Sequence, residues 1–191
     1  MGKCNWALAH PILEHYHDVE WGVPIHDDRL WFEFLLLEGA QAGLSWLTIL
    51  KKREAYQRAF DNFDAEKITR YNQDKITRLL ADSGIIRNRL KIHSAVSNAQ
   101  AFLQVQSAFG SFDHYIWQFV GGRPKQNVWQ SSAEIPVTSS ESDAMSKDLK
   151  KRGFKFVGST ICYSTMQATG MVNDHIVQCA RHGEIRQAYQ Q

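Results

Sequence analysis

Apolar positions recur at helical spacing through most of the chain, and no stretch alternates strictly enough to read as a β-hairpin. Asp27-Asp28 precede a run from Arg29 to about Ala42 whose Leu30, Phe34 and Leu37 mark a thick buried face, so the pattern predicts a capped helix punctuated by Gly39 and Gly43. Ser45 predicts the start of a helix from Trp46 to about Phe60, and Asp64 the start of a short one from Ala65 to Tyr71. Another spans Asp74 to Ala81, and the tight turn Asp82-Ser83-Gly84-Ile85-Ile86 leads into a helix from Arg87 to about Gln104. Phe112 to Val120 reads as a short aromatic helix closed by Gly121-Gly122. The periodicity lapses from Arg123 to Ser139, where Pro124 and Pro136 exclude a continuous helix. It returns from Ser139-Ser140 to Arg152, stopped by Gly153, then from Gly158 to Thr169 and from Asn173 to about Arg181. The polar residues Arg186 to Gln191 are expected to fray.

This is an all-α pattern, and 191 residues with 43% hydrophobic content suit one compact domain over residues 1–191. Charges interrupt every apolar run, so a membrane span is not expected, and no apolar segment follows Lys3 to make a secretory signal. Three cysteines, an odd and unclustered set, argue against a disulfide framework and for the reducing cytoplasm. The net charge of +2 is too small to establish nucleic-acid binding. Basic clusters at Lys51-Lys52-Arg53, at Arg87 to Lys91 and at Lys147 to Lys155 would have to share a face to do so; each is otherwise an ordinary solvated helix face.

Four features carry candidate chemistry. Cys4 and His17 lie near one end, and His175 and Cys179 near the other, four apart and so expected on one helical face. Together they would fill tetrahedral zinc and leave no position for a substrate; read singly, they are buried thiols and core histidines. The segment Leu79 to Arg87 has the form of a helix-hairpin-helix, spanning about residues 74–104, whose turn can offer N–H groups to a phosphate. An ordinary helical hairpin has the same pattern. Glu38 follows Leu35-Leu36-Leu37, so it is either a buried carboxylate with a purpose or a residue at the helix rim. Trp6, Tyr16, Trp21 and Trp46 are either core or the walls of a pocket for a flat base.

These residues come together in one resemblance. Cys4, Tyr16-His17-Asp18, Glu20-Trp21-Gly22-Val23-Pro24, Leu37-Glu38-Gly39, Gln41-Ala42-Gly43-Leu44-Ser45-Trp46, Gly84-Ile85-Ile86-Arg87, Lys150 to Gly158 and Asn173-Asp174-His175 match in order and register, from Cys4 to about Cys179. The chain resembles the bacterial 3-methyladenine DNA glycosylase I family of the helix-hairpin-helix superfamily. The resemblance implies a two-lobed helical fold and one structural Zn2+ per chain on Cys4, His17, His175 and Cys179. It implies a monofunctional, monomeric hydrolase that flips 3-methyladenine out of double-stranded DNA and releases the free base. Glu38 is then expected to contact the base, Tyr16 and Trp46 to stack on it or close around it, and Trp6, Trp21 and Ser164 to wall the pocket. Gly43-Leu44 is expected to fill the gap in the duplex, and Gly84, Ile86, Arg87 and Arg89 to meet DNA. One departure from the wider superfamily stands out: Ile92 to Ala108 holds no Asp or Glu, so the usual carboxylate for a sugar cation is missing, as it is in this family. The rival readings are a non-enzymatic DNA-binding module and a zinc-stabilised protein-interaction domain.

Overall fold

A computed structural model describes residues 2–189, and the chain is largely helical throughout. Its centre is α2 (Asp28–Gln41), capped by Asp27, whose Oδ1 accepts from the Leu30 N–H at 2.9 Å. Residues 31–40 are all buried, Glu33 and Glu38 included, so this helix is enclosed on every side rather than along one stripe. The long α7 (Arg89–Phe109), capped by Asn88, packs across it, with Phe102 meeting Phe32 edge-on and stacking on Phe112. Around them lie α3 (Trp46–Leu50), α4 (Arg53–Ala59), α5 (Ala65–Thr69), α6 (Gln73–Ala81) and α8 (Phe112–Trp117). The packed pair α9 (Ser140–Lys151) and α10 (Ser159–Ala168), joined where Ser142 near the start of α9 meets Ser159 at the start of α10 at 2.9 Å, completes this core. No helix among the described residues is long and apolar enough to cross a membrane.

The structure departs from the sequence pattern at three places. The expected helix from Trp46 to Phe60 breaks at Lys51-Lys52. The break lets Lys52 reach the Ser83 carbonyl at 2.8 Å while Arg53 turns the other way, to Glu20 and Glu33 at 2.6 Å each. An N-terminal 3-10 turn (Asn5–Ala9) and α1 (Pro11–Val19) were not signalled by periodicity; α1 starts with Pro at its first position and the His10 ring as its cap. Most importantly, Asn173 to Arg181 is not a helix. Val172–Asn173 forms β2, pairing in parallel with β1 (Lys125–Gln126), and α11 begins only at Ala180 and runs to Ala188, through Arg186. The backbone between them bonds outward: Val177 N–H donates to the Trp129 carbonyl at 2.9 Å, and Gly2 N–H to that of Gln178 at 3.1 Å. These long-range bonds replace the i to i−4 ladder. The expected fraying of Gln190 and Gln191 lies outside the described residues.

Gly170 fixes how the N-terminal segment meets α10. Its φ is +71°, and a Cβ there would sit 2.2 Å from the Pro24 nitrogen, so only glycine lets Val23-Pro24 cross the end of the helix. Gly22 N–H donates to the Gln167 carbonyl at 3.0 Å and Ile25 N–H to that of Thr169 at 3.2 Å. The segment carrying Tyr16 to Trp21 is thereby held against α10.

Candidate active site and metal centre

Between these elements lies a cleft of about 380 Å³, within the size range of small-molecule sites. Trp6, Tyr16 and Trp21 come from the N-terminal segment, Glu38 and Gln41 from α2, Trp46 from α3, and Ser164 with Tyr163 and Gln167 from α10. Every residue expected at a base pocket therefore faces one space. Trp6 meets Trp21 edge-on at 5.0 Å between ring centroids, and Tyr16 meets Trp46 at 5.6 Å. The remaining wall is Thr160 and Ala168 of α10 with Ser132, Ile135, Pro136 and Val137. Sequence reasoning missed these along with Gln41, Tyr163 and Gln167; its only signal for the wall was the lapse of periodicity.

Glu38 is 3% exposed, and its Oε2 has no hydrogen-bond partner. Burial pushes its pKa up to about 8. The nearby cation is engaged elsewhere: the Arg53 guanidinium bridges Glu20 and Glu33, the latter one turn and a half before Glu38 on α2. The Trp46 Nε1–H in the same cleft is also buried and unpartnered. An acceptor with no donor, in a cavity walled by π faces, is suited to a flat, cationic ligand carrying N–H groups.

Behind the aromatic wall, Cys4, His17, His175 and Cys179 converge with all ligand atoms within 4.8 Å of one another. His175 and Cys179 do so from a loop, not from the single helical face expected. The two histidine nitrogens, His17 Nε2 and His175 Nδ1, are 3.1 Å apart, and sulfur–nitrogen distances run from 3.4 to 3.7 Å. Tetrahedral zinc bonds imply edges of about 3.4 Å between nitrogens and about 3.6 Å from nitrogen to sulfur, so the donor set fits the ion. The outer ring nitrogens are oriented as metal-bound imidazoles require: His17 Nδ1 lies 2.8 Å from Asp18 Oδ1, and His175 Nε2 donates to the Trp21 carbonyl at 3.0 Å. Lys3 in turn holds Asp18 at 2.6 Å.

The elements expected at DNA are exposed but not all free. Gly43 has φ +78°, and Leu44 is 41% exposed at the turn between α2 and α3. In the hairpin, the Gly84 N–H donates to Asp82 Oδ1 at 2.7 Å and the Ile86 N–H to the Tyr56 hydroxyl at 3.1 Å. Those two N–H groups are thus engaged within the protein, while Arg87, just before the cap of α7, and Arg89, its first residue, are exposed. The basic clusters are divided in the same way. Lys52, Arg53 and Lys91 hold internal partners, and Arg152 pairs with Asp148 at 2.6 Å over the rings of Phe109 and Tyr115. Lys51, Lys147, Lys150, Lys151 and Lys155 stay exposed.

A family model described as methyladenine glycosylase matches residues 6–182. DNA-3-methyladenine glycosylase 1 of Escherichia coli K12 is 50% identical over 179 residues, covering 94% of this chain and 96% of that protein. The Haemophilus influenzae DNA-3-methyladenine glycosylase is 44% identical over 177 residues, 93% and 96% of the two chains. A crystal structure of 3-methyladenine DNA glycosylase I, at 50% identity, superposes with a TM-score of 0.91 over 94% of this chain and 98% of that one. The Staphylococcus aureus enzyme, solved to explain its recognition of 3-methyladenine, does so with a TM-score of 0.91 at 37% identity over 94% of this chain and 96% of that one. With the family match running from residue 6 to 182, through the cleft residues Trp6 to Gln167 and through His17, His175 and Cys179, the chain belongs to the methyladenine glycosylase family.

Proposed function

We propose that this chain is a monofunctional DNA glycosylase that excises 3-methyladenine from alkylated double-stranded DNA, leaving an abasic site. The observation that carries this reading is the buried, unpartnered carboxylate of Glu38 facing an aromatic cleft; the names of the relatives support it. Methylation at N3 makes the base cationic, so the N-glycosidic bond breaks with its electron pair passing to the ring, and the base departs neutral. Water supplies the hydroxyl that forms the new bond at the sugar carbon, and its proton is released to solvent. Such a leaving group demands less transition-state stabilisation than a normal base, which accords with the absence of a carboxylate from Ile92 to Ala108.

Recognition then falls to the pocket. Flipping costs a few kcal/mol and least for a damaged base. The π faces of Tyr16, Trp46, Trp6 and Trp21 attract a cation by roughly 0.5–2 kcal/mol, and Ser164 completes the wall. Glu38 accepts from the base edge; the cation entering beside it draws its pKa back down, and the carboxyl proton leaves to solvent. Normal adenine brings no charge to offset the buried carboxylate.

Cys4, His17, His175 and Cys179 would hold one zinc ion, which supplies structure alone because four protein ligands close its coordination. In this reading residues 74–104 act as a helix-hairpin-helix within one two-lobed domain. Gly43-Leu44 enters the duplex, and the exposed Arg87 and Arg89, held beside the Gly84–Ile86 turn, grip the backbone. Incubating the protein with methylated DNA and separating the freed bases tests the activity: 3-methyladenine and matching abasic sites are expected, and intact DNA would overturn it. Arg89→Ala is expected to lower the slope of log affinity against log salt by about 1, through loss of one phosphate contact. An unchanged slope would remove Arg89 from the DNA face.

A further inference from the structure

Lys91 sits near the start of α7, in the second arm of the hairpin, yet its side chain turns inward. Its Nζ donates to the Ala40 carbonyl at 2.8 Å and to the Ala42 carbonyl at 2.7 Å. Ala40 lies in the last turn of α2, where carbonyls lack intrahelical partners, and Ala42 is the residue that ends the helix. Next come Gly43 and the exposed Leu44; two residues before Ala40 is Glu38. One ammonium therefore ties the hairpin to the strip of chain that joins the base-reading carboxylate to the exposed turn. Burial draws the Lys91 pKa down, as expected for an ammonium partly removed from water.

A second link leaves the packing secure without it. Two turns along α7, Asn98 makes a reciprocal pair with the Lys155 backbone, at 2.7 and 3.0 Å. The adjoining Phe156 packs on Gly39 in the left-handed conformation, with φ +55°.

We propose that Lys91 is a positioning residue that locks the Gly43–Leu44 turn to the hairpin, so that the element gripping the DNA backbone and the element displacing the base act as one body. The proposal rests on the glycosylase reading. It differs measurably from two simpler roles: a helix cap changes only stability, and a phosphate-binding lysine contributes to salt dependence.

The test compares wild type, Lys91→Met and Lys91→Arg, all shown to be folded by thermal melting. Three readouts apply: affinity for free 3-methyladenine, affinity for duplex DNA bearing a tetrahydrofuran abasic analogue across a salt series, and excision from methylated DNA. Lys91→Met is expected to keep free-base affinity within about twofold. Its abasic-DNA affinity and excision should fall about tenfold to a hundredfold, the scale of a misplaced reacting group, with the salt slope unchanged. Lys91→Arg, which retains donors, should recover part of the loss. Wild-type excision and DNA affinity in Lys91→Met would reduce Lys91 to a helix cap and overturn the proposal. A slope lowered by about 1 would make it a phosphate ligand instead. Free-base affinity lost in parallel with excision would place the damage in the pocket and equally overturn it. If wild type itself frees no 3-methyladenine, the glycosylase reading is what fails.

Discussion

Glu38→Gln should slow release of 3-methyladenine by roughly 10- to 100-fold, the value of a hydrogen bond to a charged partner, while making the folded protein more stable above neutral pH. The two effects have one origin. Glu38 ordinarily titrates near 4.5, and burial lifts it to about 8 in the fold. Between those values the folded state holds a proton that the unfolded state has lost. Stability is therefore fully present below about 4.5 and declines as pH rises through about 8, by about 1.4 kcal/mol per pH unit over the interval. Glutamine removes that slope, though it also removes the charge a cationic base would meet. Melting curves at pH 6 and pH 9, paired with excision rates, check both halves. A variant that melts below wild type at pH 9 would mean that the carboxylate has a partner in the fold, and unchanged excision would end its role as reader of the base.

Removing a metal held by Cys4, His17, His175 and Cys179, by chelation or by Cys179→Ala, should cost several kcal/mol of stability, because binding energy at such a site is folding energy. It should also weaken free-base affinity, a consequence that spacing alone did not suggest. The pocket wall is built directly on the ligands. Trp6 packs edge-on to His17 at 5.4 Å, Trp21 packs on His175 at 4.5 Å, and Tyr16 is the neighbour of His17 in the chain. Metal-free protein that remains folded should still excise at saturating substrate but with poorer base affinity, measured by fluorescence of those tryptophans. Wild-type base affinity with abolished turnover would instead give the metal a part in the chemistry.

What the sequence made legible was local. Asp27, Ser45, Asp64 and Ser139 marked helix starts because a cap is a contact between near neighbours. The failure at Asn173 to Arg181 has the opposite cause. Two metal-type side chains four apart mimic a helix face, but the backbone there is bonded to Gly2 and Trp129, partners no local pattern reveals. The cleft wall at Ile135, Pro136 and Val137 was hidden for the same reason. Glu38 stands between these cases: its place in an apolar run left burial and exposure equally open, and only packing on every side of α2 decided it.

The candidate ligands at positions 4, 17, 175 and 179 lie at opposite ends of the chain, so a metal held there would be closed in only after the last two are synthesised. A ribosome-bound chain presents α2 and α7 while half of that donor set is still untranslated, and the contact of Trp21 with the His175 ring cannot form before then. Products of premature termination before His175 would contain Glu38 and residues 74–104 yet lack the ring on which the cleft residue Trp21 packs.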